Sequence, residues 1–327
     1  MTTRGYGWPA RLHVVTGKGG TGKTTVAAAL ALGLARGGHR TLLIEVEARQ
    51  GIAQLFGLDP LPYQERRVAT PRGGGEVRAL AVDAEAALLE YLELFYKLGI
   101  AGRALRKVGA VDFATTIAPG MRDVLLTGKV KEAVTRTVDG RRVYDAVVLD
   151  APPTGRIGRF LNVTAETARL AKVGPIKTQS EGVAAILRSP MTLVHVVTLL
   201  EEMPVQETTD AIDELTRLGL PIGTIIVNAT RPPLLEGAKV TQAELRRGLT
   251  AAGLSTDRDT LAGLVTEARA HQTRVAVEAS LRAELLALER PIIELPAWPG
   301  GITPESLEEL ADLLLAPAPT DETSDVT

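Results

Sequence analysis

LHVVTGKGGTGKTT, residues 12–25, is the stretch that decides the fold of this chain. Its first part, Leu12 to Thr16, is a short apolar run of the kind that forms a buried strand. A glycine-rich turn with the pattern Gly-x-x-x-x-Gly-Lys-Thr follows, and from Lys23 to about Ala35 the sequence becomes rich in Ala and Leu, as in a helix. Strand, glycine loop and helix in this order are the context that supports a phosphate-binding loop, or P-loop. The stretch therefore predicts a nucleotide site.

The residue types in this loop suit a nucleoside triphosphate and Mg²⁺. Glycines allow main-chain N–H groups to surround phosphate oxygens, and a helix N-terminus adds partial positive charge. Lys23 is expected to reach the β- and γ-phosphates, and the Thr24 hydroxyl to bind Mg²⁺. The residues expected to contact ATP here are Gly17, Lys18, Gly19, Gly20, Thr21, Gly22, Lys23, Thr24 and Thr25.

Further apolar runs place the loop in a doubly wound α/β fold with a mainly parallel sheet. Continuous apolar strands are typical of a sheet covered on both faces, and a strand, helix and parallel strand in succession form a right-handed unit. Strands are predicted at 41–44, 146–149, 192–197, 223–227 and 291–295. We predict one P-loop domain over residues 1–315, a helical insertion at about 84–142, a helical segment at about 241–289, and a disordered tail at 316–327.

Composition narrows the function further. The 327 residues are 45% hydrophobic and 23% charged, as in a globular protein, and the net charge of −2 gives no basic field for nucleic acid. The chain has no cysteine, which excludes disulfides, thiolate metal sites and a cysteine nucleophile. No apolar run reaches the roughly 18 residues of a membrane span, and no secretory signal is present. We expect a cytoplasmic protein without direct membrane insertion.

A second candidate for Mg²⁺ binding is Asp150. It ends the apolar run that begins at Ala146, and a carboxylate at the end of a strand beside the P-loop can hold Mg²⁺ through water. The following Pro152-Pro153-Thr154-Gly155 cannot form regular structure. It suits a loop that responds to the γ-phosphate.

Residues 150–161, DAPPTGRIGRFL, resemble the second switch of the arsenite-pump and tail-anchored-protein-targeting ATPases. That family typically has an aspartate, then Pro-Thr-Gly, then Arg-Phe-Leu; Arg156 stands where a histidine is usual. Lys18 resembles the extra lysine of the deviant Walker A class, which typically reaches across a dimer interface to the partner's nucleotide. The nearest resemblance is to the cysteine-free actinobacterial branch labelled anion-transporting ATPases. It implies a homodimer, or a heterodimer with a paralogous ATPase, whose nucleotide state controls an unknown protein client.

Three more segments extend the resemblance towards the C-terminus. Glu207, followed by Thr208, is similar to a Glu-Thr pair of the family and would be a carboxylate near the nucleotide. Asn228 ends a strand similar to the one whose asparagine reads adenine, a task that suits an amide because it offers both a donor and an acceptor. The loop of Pro296, Ala297 and Trp298 resembles the one that covers the adenine.

The catalytic carboxylate is where the sequence departs most from the family. Relatives typically have Asp-Pro-Ala-His after the second strand, with the aspartate positioning the attacking water; here the run is Ile44-Glu45-Val46-Glu47. The register places Glu47 at that aspartate, and its extra methylene moves the carboxylate by about 1 Å, a shift that can cost about 10²-fold in rate. Slow turnover is therefore expected. Glu45 is a rival for this role or for Mg²⁺, and the role could also belong to neither.

Several alternatives remain open from the sequence. One is a nucleotide-stabilised scaffold with negligible turnover, another a phosphotransfer enzyme acting on a small molecule, and a third a chromosome-partition or positioning ATPase. Tyr91, Leu92, Phe95 and Tyr96 form an aromatic cluster that serves either core packing or a client surface. His13 and His195 lie in apolar strands and are expected to be buried, neutral and structural.

Overall fold

The computed structural model of the chain describes residues 10–47, 49–96, 121–162, 175–235, 237–238 and 240–316. Ten strands are found in these ranges, and eight of them form one sheet in the order β10-β9-β8-β1-β7-β2-β4-β3. They are β1 (Leu12–Gly17), β2 (Arg40–Glu45), β3 (Arg66–Ala69), β4 (Glu76–Ala81), β5 (Thr137–Val138), β6 (Arg141–Arg142), β7 (Ala146–Asp150), β8 (Thr192–Thr198), β9 (Ile222–Thr230) and β10 (Ile292–Pro296).

All neighbours in the sheet are parallel except the edge strand β3, which is antiparallel to β4. The predicted α/β fold with a mainly parallel sheet is confirmed, and every strand predicted from an apolar run is present. The pair β3–β4 was not predicted. In β4 the charged residues Glu76 and Arg78 interrupt the apolar run, and Val77 and Ala79, which alternate with them, are fully buried.

Ten helices in the described ranges connect and cover these strands. They are α1 (Lys23–Ala35), α2 (Gly51–Leu55), α3 (Ala84–Tyr96), α4 (Met121–Thr135), α5 (Thr154–Leu161), α6 (Pro175–Leu187), α7 (Glu202–Arg217), α8 (Gln242–Ala251), α9 (Arg258–Leu286) and α10 (Pro304–Leu315). None of these helices has the length and apolar character required to cross a bilayer.

Both faces of the sheet are covered, because alternate strand residues point to opposite sides. In β7, Val147 and Leu149 join a core cluster with α3 to α6, whereas Val148 joins a second cluster with α1 and α10. A third cluster packs α7 and α9 onto β8 and β9. The Ala-rich α1 is buried almost all round, which explains why it has no polar face.

The helical segments depart from the sequence expectation in one detail. The stretch 84–142 contains α3 and α4, but it ends in the short hairpin β5–β6 rather than in helix, with Asp139 and Gly140 at positive φ in the turn. The stretch 241–289 contains α8 and the 29-residue α9. The side chains of the aromatic cluster at 91–96 and the tail beyond Ala316 lie outside the described residues.

Candidate functional site

The P-loop connects β1 to α1, at the edge where the carboxyl ends of β7, β1 and β8 lie side by side. Two of its glycines have conformations or contacts that exclude a side chain. At Gly17 (φ 153°) a Cβ would stand 2.1 Å from the main-chain oxygen of Val197, and at Gly22 (φ 88°) it would stand 2.3 Å from Nδ2 of Asn228. The loop is therefore pressed against β8 and β9, and glycine is required on both counts.

Polar contacts hold the rest of the loop in one conformation. The Thr21 hydroxyl donates to the Lys18 carbonyl oxygen at 2.9 Å, and the Asn228 side-chain nitrogen donates to the Thr21 carbonyl oxygen at 2.9 Å. Gly19 and Gly20 are exposed, and no atom lies within 4 Å of the place of their missing Cβ. The outer side of the loop is thus open to a ligand, while its inner side is fixed.

The start of α1 supplies main-chain donors to this open side. Its first intrahelical bond runs from the Val26 N–H to the Gly22 carbonyl oxygen. The amides of Lys23, Thr24 and Thr25 come before it, and amides of the first helical turn are those that a helix offers to an anion. The geometry of strand, loop and helix is that of a phosphate-binding site.

Lys23 lies at the base of this loop, with only 8% of its surface exposed. Its ammonium donates to the Lys18 carbonyl oxygen at 3.2 Å. Burial lowers the pKa of Lys23, while the nearby carboxylates of Asp150 and Glu47 raise it and Arg49 lowers it. The ammonium is thus close enough to both carboxylates to share one electrostatic environment.

Asp150, at the end of β7, accepts a hydrogen bond from the Thr24 hydroxyl at 2.7 Å. Burial raises the pKa of Asp150 to about 6; the contacts with Thr24 and Lys23 oppose this rise, and the charges of Glu45 and Glu47 add to it. Burial therefore outweighs the effect of Thr24 and Lys23, which favour the charged form of this carboxylate.

These two residues fit Mg²⁺. The proton of the Thr24 hydroxyl is directed at Asp150, so its lone pairs remain available to a cation. No group of three His, Asp or Glu residues that would form a metal cage is found among the described residues. Mg²⁺ commonly takes one or two protein oxygens and completes its shell with phosphate oxygens and water, which is the donor set that this site offers.

The side chain of Lys18 is paired with another residue of the chain. Its ammonium forms an ion pair with one carboxylate oxygen of Glu207 in α7, and the other oxygen accepts from the Thr154 hydroxyl at 2.9 Å. Thr154 is the first residue of α5, which follows the Asp150 strand. The expectation that 152–155 cannot form regular structure was therefore wrong for Thr154 and Gly155, because Pro153 stands at the N-cap, where its missing N–H costs the helix nothing. The structure thus brings Lys18 and Glu207 together, and adds Thr154, which the sequence placed in the second switch without giving it a contact.

The two candidate carboxylates after β2 have different surroundings. Glu45 is 2% exposed, and its oxygens accept from the main-chain N–H groups of Gly51 and Ile52 at 3.4 and 3.3 Å. That contact ties the end of β2 to the start of α2. Glu47 lies between two guanidinium groups, those of Arg156 at 3.4 Å and Arg49 at 3.6 Å.

Arg156 was noted in the sequence only as a departure from a histidine, and its contact with Glu47 was not foreseen. The one available signal was its position two residues after Thr154, in the segment that follows the Asp150 strand. Nothing in the local sequence relates it to a glutamate 109 residues earlier.

The segment expected to cover adenine lies at the end of β10, beside the end of β9 that carries Asn228. Pro296 pairs with Thr230, and the Ala297 N–H donates to the Thr230 carbonyl oxygen at 2.9 Å. Trp298 is half-buried and packs against the α1 and α10 core. One N–H of the Asn228 amide is engaged by the P-loop, and the second N–H and the oxygen are the groups that this side chain could offer to a base.

Comparisons with known proteins agree with this geometry. A family model described as anion-transporting ATPase matches residues 10–190. ATPase BagA of Mycobacterium tuberculosis is 56% identical over 322 residues, covering 94% of this chain and 95% of that protein. ATPase GET3 of Kluyveromyces lactis is 25% identical over 249 residues, 65% of this chain and 70% of its own. A putative arsenical pump-driving ATPase of Prosthecochloris vibrioformis is 29% identical over 165 residues, 47% of this chain and 35% of its own.

Proposed function

Because this chain belongs to the anion-transporting ATPase family, we propose that it hydrolyses Mg-ATP slowly as a dimer and that its nucleotide state controls a surface for a protein client. The observation that carries the proposal is the group that Lys23, Thr24 and Asp150 form at the start of α1, next to the open P-loop. This group combines a buried cation for phosphate with two oxygen ligands for Mg²⁺. A cytoplasmic location of the protein is part of the same proposal.

Each residue has a defined task in the proposed reaction. The main-chain amides of residues 17–25 and the Lys23 ammonium hold the β- and γ-phosphates. Thr24 and Asp150 would hold Mg²⁺, which would offset negative charge on the phosphate oxygens when bound. The Asn228 oxygen and the loop of Pro296 to Trp298 orient the adenine.

Glu47 is the residue we assign to the attacking water. Its side chain is 17% exposed, and its charge acts on both Lys23 and Asp150, which supports a role next to the γ-phosphate. In the described conformation its oxygens face Arg156 and Arg49. Turnover then requires these guanidiniums to move, which is one physical reason to expect a slow rate.

The same observation favours a second candidate function, a scaffold that ATP stabilises with negligible turnover. The arginines on both sides of Glu47 offset its negative charge, and a carboxylate paired in this way is a poor acceptor for a proton of the attacking water. In this case ATP would bind at the P-loop and stabilise the fold without being consumed.

The dimer part of the proposal rests on Lys18. In a single chain the ammonium of Lys18 pairs with Glu207, whereas the ammonium of Lys23 lies against the Lys18 carbonyl oxygen. A homodimer, or a heterodimer with a paralogous ATPase, would place the nucleotide of a second chain within its reach. The client is a protein that binds one nucleotide state of the dimer.

Steady-state hydrolysis of Mg-ATP by wild type, Glu47→Gln and Lys23→Ala, each alone and with the paralogue, tests the proposal. We expect slow turnover for wild type, a fall of about 10²-fold in Glu47→Gln with ATP binding retained, and loss of ATP binding in Lys23→Ala. Light scattering with and without ATP reports the dimer. Equal turnover in wild type and Glu47→Gln would remove the assignment of Glu47, and ATP binding without any turnover would favour the scaffold.

A captured client would extend the result. Affinity purification with Glu47→Gln, compared with and without ATP, is expected to retain a partner in one nucleotide state only. The same partner in both states would contradict nucleotide control of the client surface.

A further inference from the structure

One carboxylate joins two segments that face the nucleotide site. Glu207 lies in the second turn of α7, the helix that follows β8. One of its oxygens holds the ammonium of Lys18 on the P-loop, and the other accepts from the Thr154 hydroxyl at 2.9 Å at the start of α5. Lys18 and Thr154 therefore share one counter-group, which lies on neither of their own segments.

We propose that Glu207 is a positioning residue that holds Lys18 and Thr154 in the nucleotide-free chain, and that ATP phosphate competes with it for Lys18. The proposal rests on the ATPase function proposed above, and it differs from the sequence-based expectation that Glu207 binds the nucleotide. While this ion pair is intact, the ammonium of Lys18 is not available to phosphate.

The electrostatics of the pair are consistent with a contact that can be released. The hydrogen bond from Lys18, followed by the one from Thr154, holds the pKa of Glu207 below its usual range, so the carboxylate is charged at neutral pH. The side chains of Lys18 and Glu207 are 30% and 33% exposed. Ion pairs that solvent screens to this degree stabilise weakly, equivalent to a factor of roughly 1.5 to 5 in an equilibrium constant.

The polyphosphate of ATP offers Lys18 a stronger partner than one carboxylate. It carries several negative charges, and the amides of the same loop already bind it. Transfer of Lys18 to phosphate would leave Glu207 with Thr154 alone, so that α5 would lose the link to the P-loop that runs through this carboxylate. This holds whether the ATP is bound to the same chain or to a second copy of it.

The test is the apparent affinity for Mg-ATP, measured by calorimetry at one protein concentration. In Glu207→Gln the amide keeps an acceptor for Thr154 but loses the charge that holds Lys18. We expect Mg-ATP to bind about 1.5- to 5-fold more tightly, with a smaller gain at high salt. In Lys18→Gln/Glu207→Gln the gain should be absent relative to Lys18→Gln, because no ammonium remains to be released.

Asp213→Asn is the matched control, since it removes one negative charge from an exposed position of the same helix and should leave ATP affinity unchanged. If Glu207→Gln does not fold, Glu207→Ala takes its place. Weaker binding in the variant would make Glu207 a ligand of the nucleotide and overturn the proposal. Unchanged binding would reduce the contact to a structural one and overturn it equally.

The outcome is distinguishable from a failure of the proposed function. If wild type binds Mg-ATP and Lys23→Ala does not, the ATP site stands, and the Glu207 series then decides only the role of this residue. If wild type binds no Mg-ATP under any condition, the proposed function itself is wrong.

Discussion

Acidification is expected to destabilise the fold through two histidines buried beneath the sheet's covering helices. His13 in β1 and His195 in β8 are fully buried, and His13 Nδ1 lies 3.1 Å from His195 Nε2. The Thr224 N–H donates to His195 Nδ1 at 3.2 Å, so that nitrogen is an acceptor and the proton of neutral His195 must be on Nε2. This proton is then donated to His13, whose own Nε2–H faces the Ala10 carbonyl oxygen at 3.0 Å.

These hydrogen bonds lead from the Thr224 N–H through His195 and His13 to the Ala10 carbonyl oxygen. All three can form only when both imidazole rings are neutral. An added proton on His195 would face the Thr224 N–H, and one on His13 Nδ1 would face His195 Nε2–H. Burial lowers the pKa of His13 to about 4 and that of His195 well below its usual value. The unfolded chain therefore binds more protons than the folded chain as the pH falls below 6.5. Stability is at its full value above about pH 6.5 and is lost as the pH falls towards 4.

The magnitude follows from this difference in pKa. For His13 alone, a pKa of 6.5 unfolded and about 4 folded reduces the free energy of unfolding by about 2 kcal/mol at pH 5. His195 adds in the same direction. The raised pKa of Asp150, about 6, acts in the opposite direction, because the folded state then binds the extra proton. A comparison of variants at each pH removes this contribution.

Urea unfolding followed by circular dichroism at pH 8, 6.5 and 5 measures the effect. The double variant His13→Gln/His195→Gln should be less stable at pH 8, but its loss between pH 8 and pH 5 should be smaller than that of wild type by about 2 kcal/mol or more. His39→Gln, at a half-exposed position, should keep the wild-type dependence. If wild type and the double variant lost the same free energy of unfolding between pH 8 and pH 5, the reasoning about the buried histidines would be refuted.

Three further substitutions separate the parts of the site. Gly22→Ala should destabilise the chain by about 1–2 kcal/mol or more and abolish ATP binding, because of its φ of 88° and the contact with Asn228. Gly19→Ala, with open space around it, should keep the wild-type stability; thermal melting compares the two variants, and calorimetry measures ATP binding to Gly22→Ala. Asp150→Asn should lower hydrolysis by on the order of 10²-fold at a fixed Mg²⁺ concentration, while ATP binding without Mg²⁺ persists. If the midpoint of a Mg²⁺ titration were unchanged in this variant, Asp150 would not be a ligand of Mg²⁺. Glu45→Gln should cost about 1–3 kcal/mol in urea unfolding, because two buried amides lose a charged acceptor; loss of hydrolysis at unchanged stability would instead favour Glu45 as the catalytic carboxylate.

The amino-acid sequence by itself determined the P-loop, because everything that defines it is local. The strand from Leu12, the glycines and the helix from Lys23 to Ala35 are contiguous, and glycine conformation and helix periodicity need no distant partner. Buried strands such as β7 and β8 could also be predicted from the sequence, since a parallel strand covered on both faces is a continuous apolar run. Strand β4 could not, because its charged residues break that run.

Only the tertiary structure decided which side chains meet around the loop. Thr24 and Asp150 are 126 residues apart, Lys18 and Glu207 are 189 apart, and Asn228 and Thr21 are 207 apart. They meet because β1 lies between β7 and β8 in a parallel sheet, so that the carboxyl ends of these strands and the elements that follow them share one edge. Strand order is set by packing and hydrogen bonding between distant segments, and no local pattern in the chain encodes it.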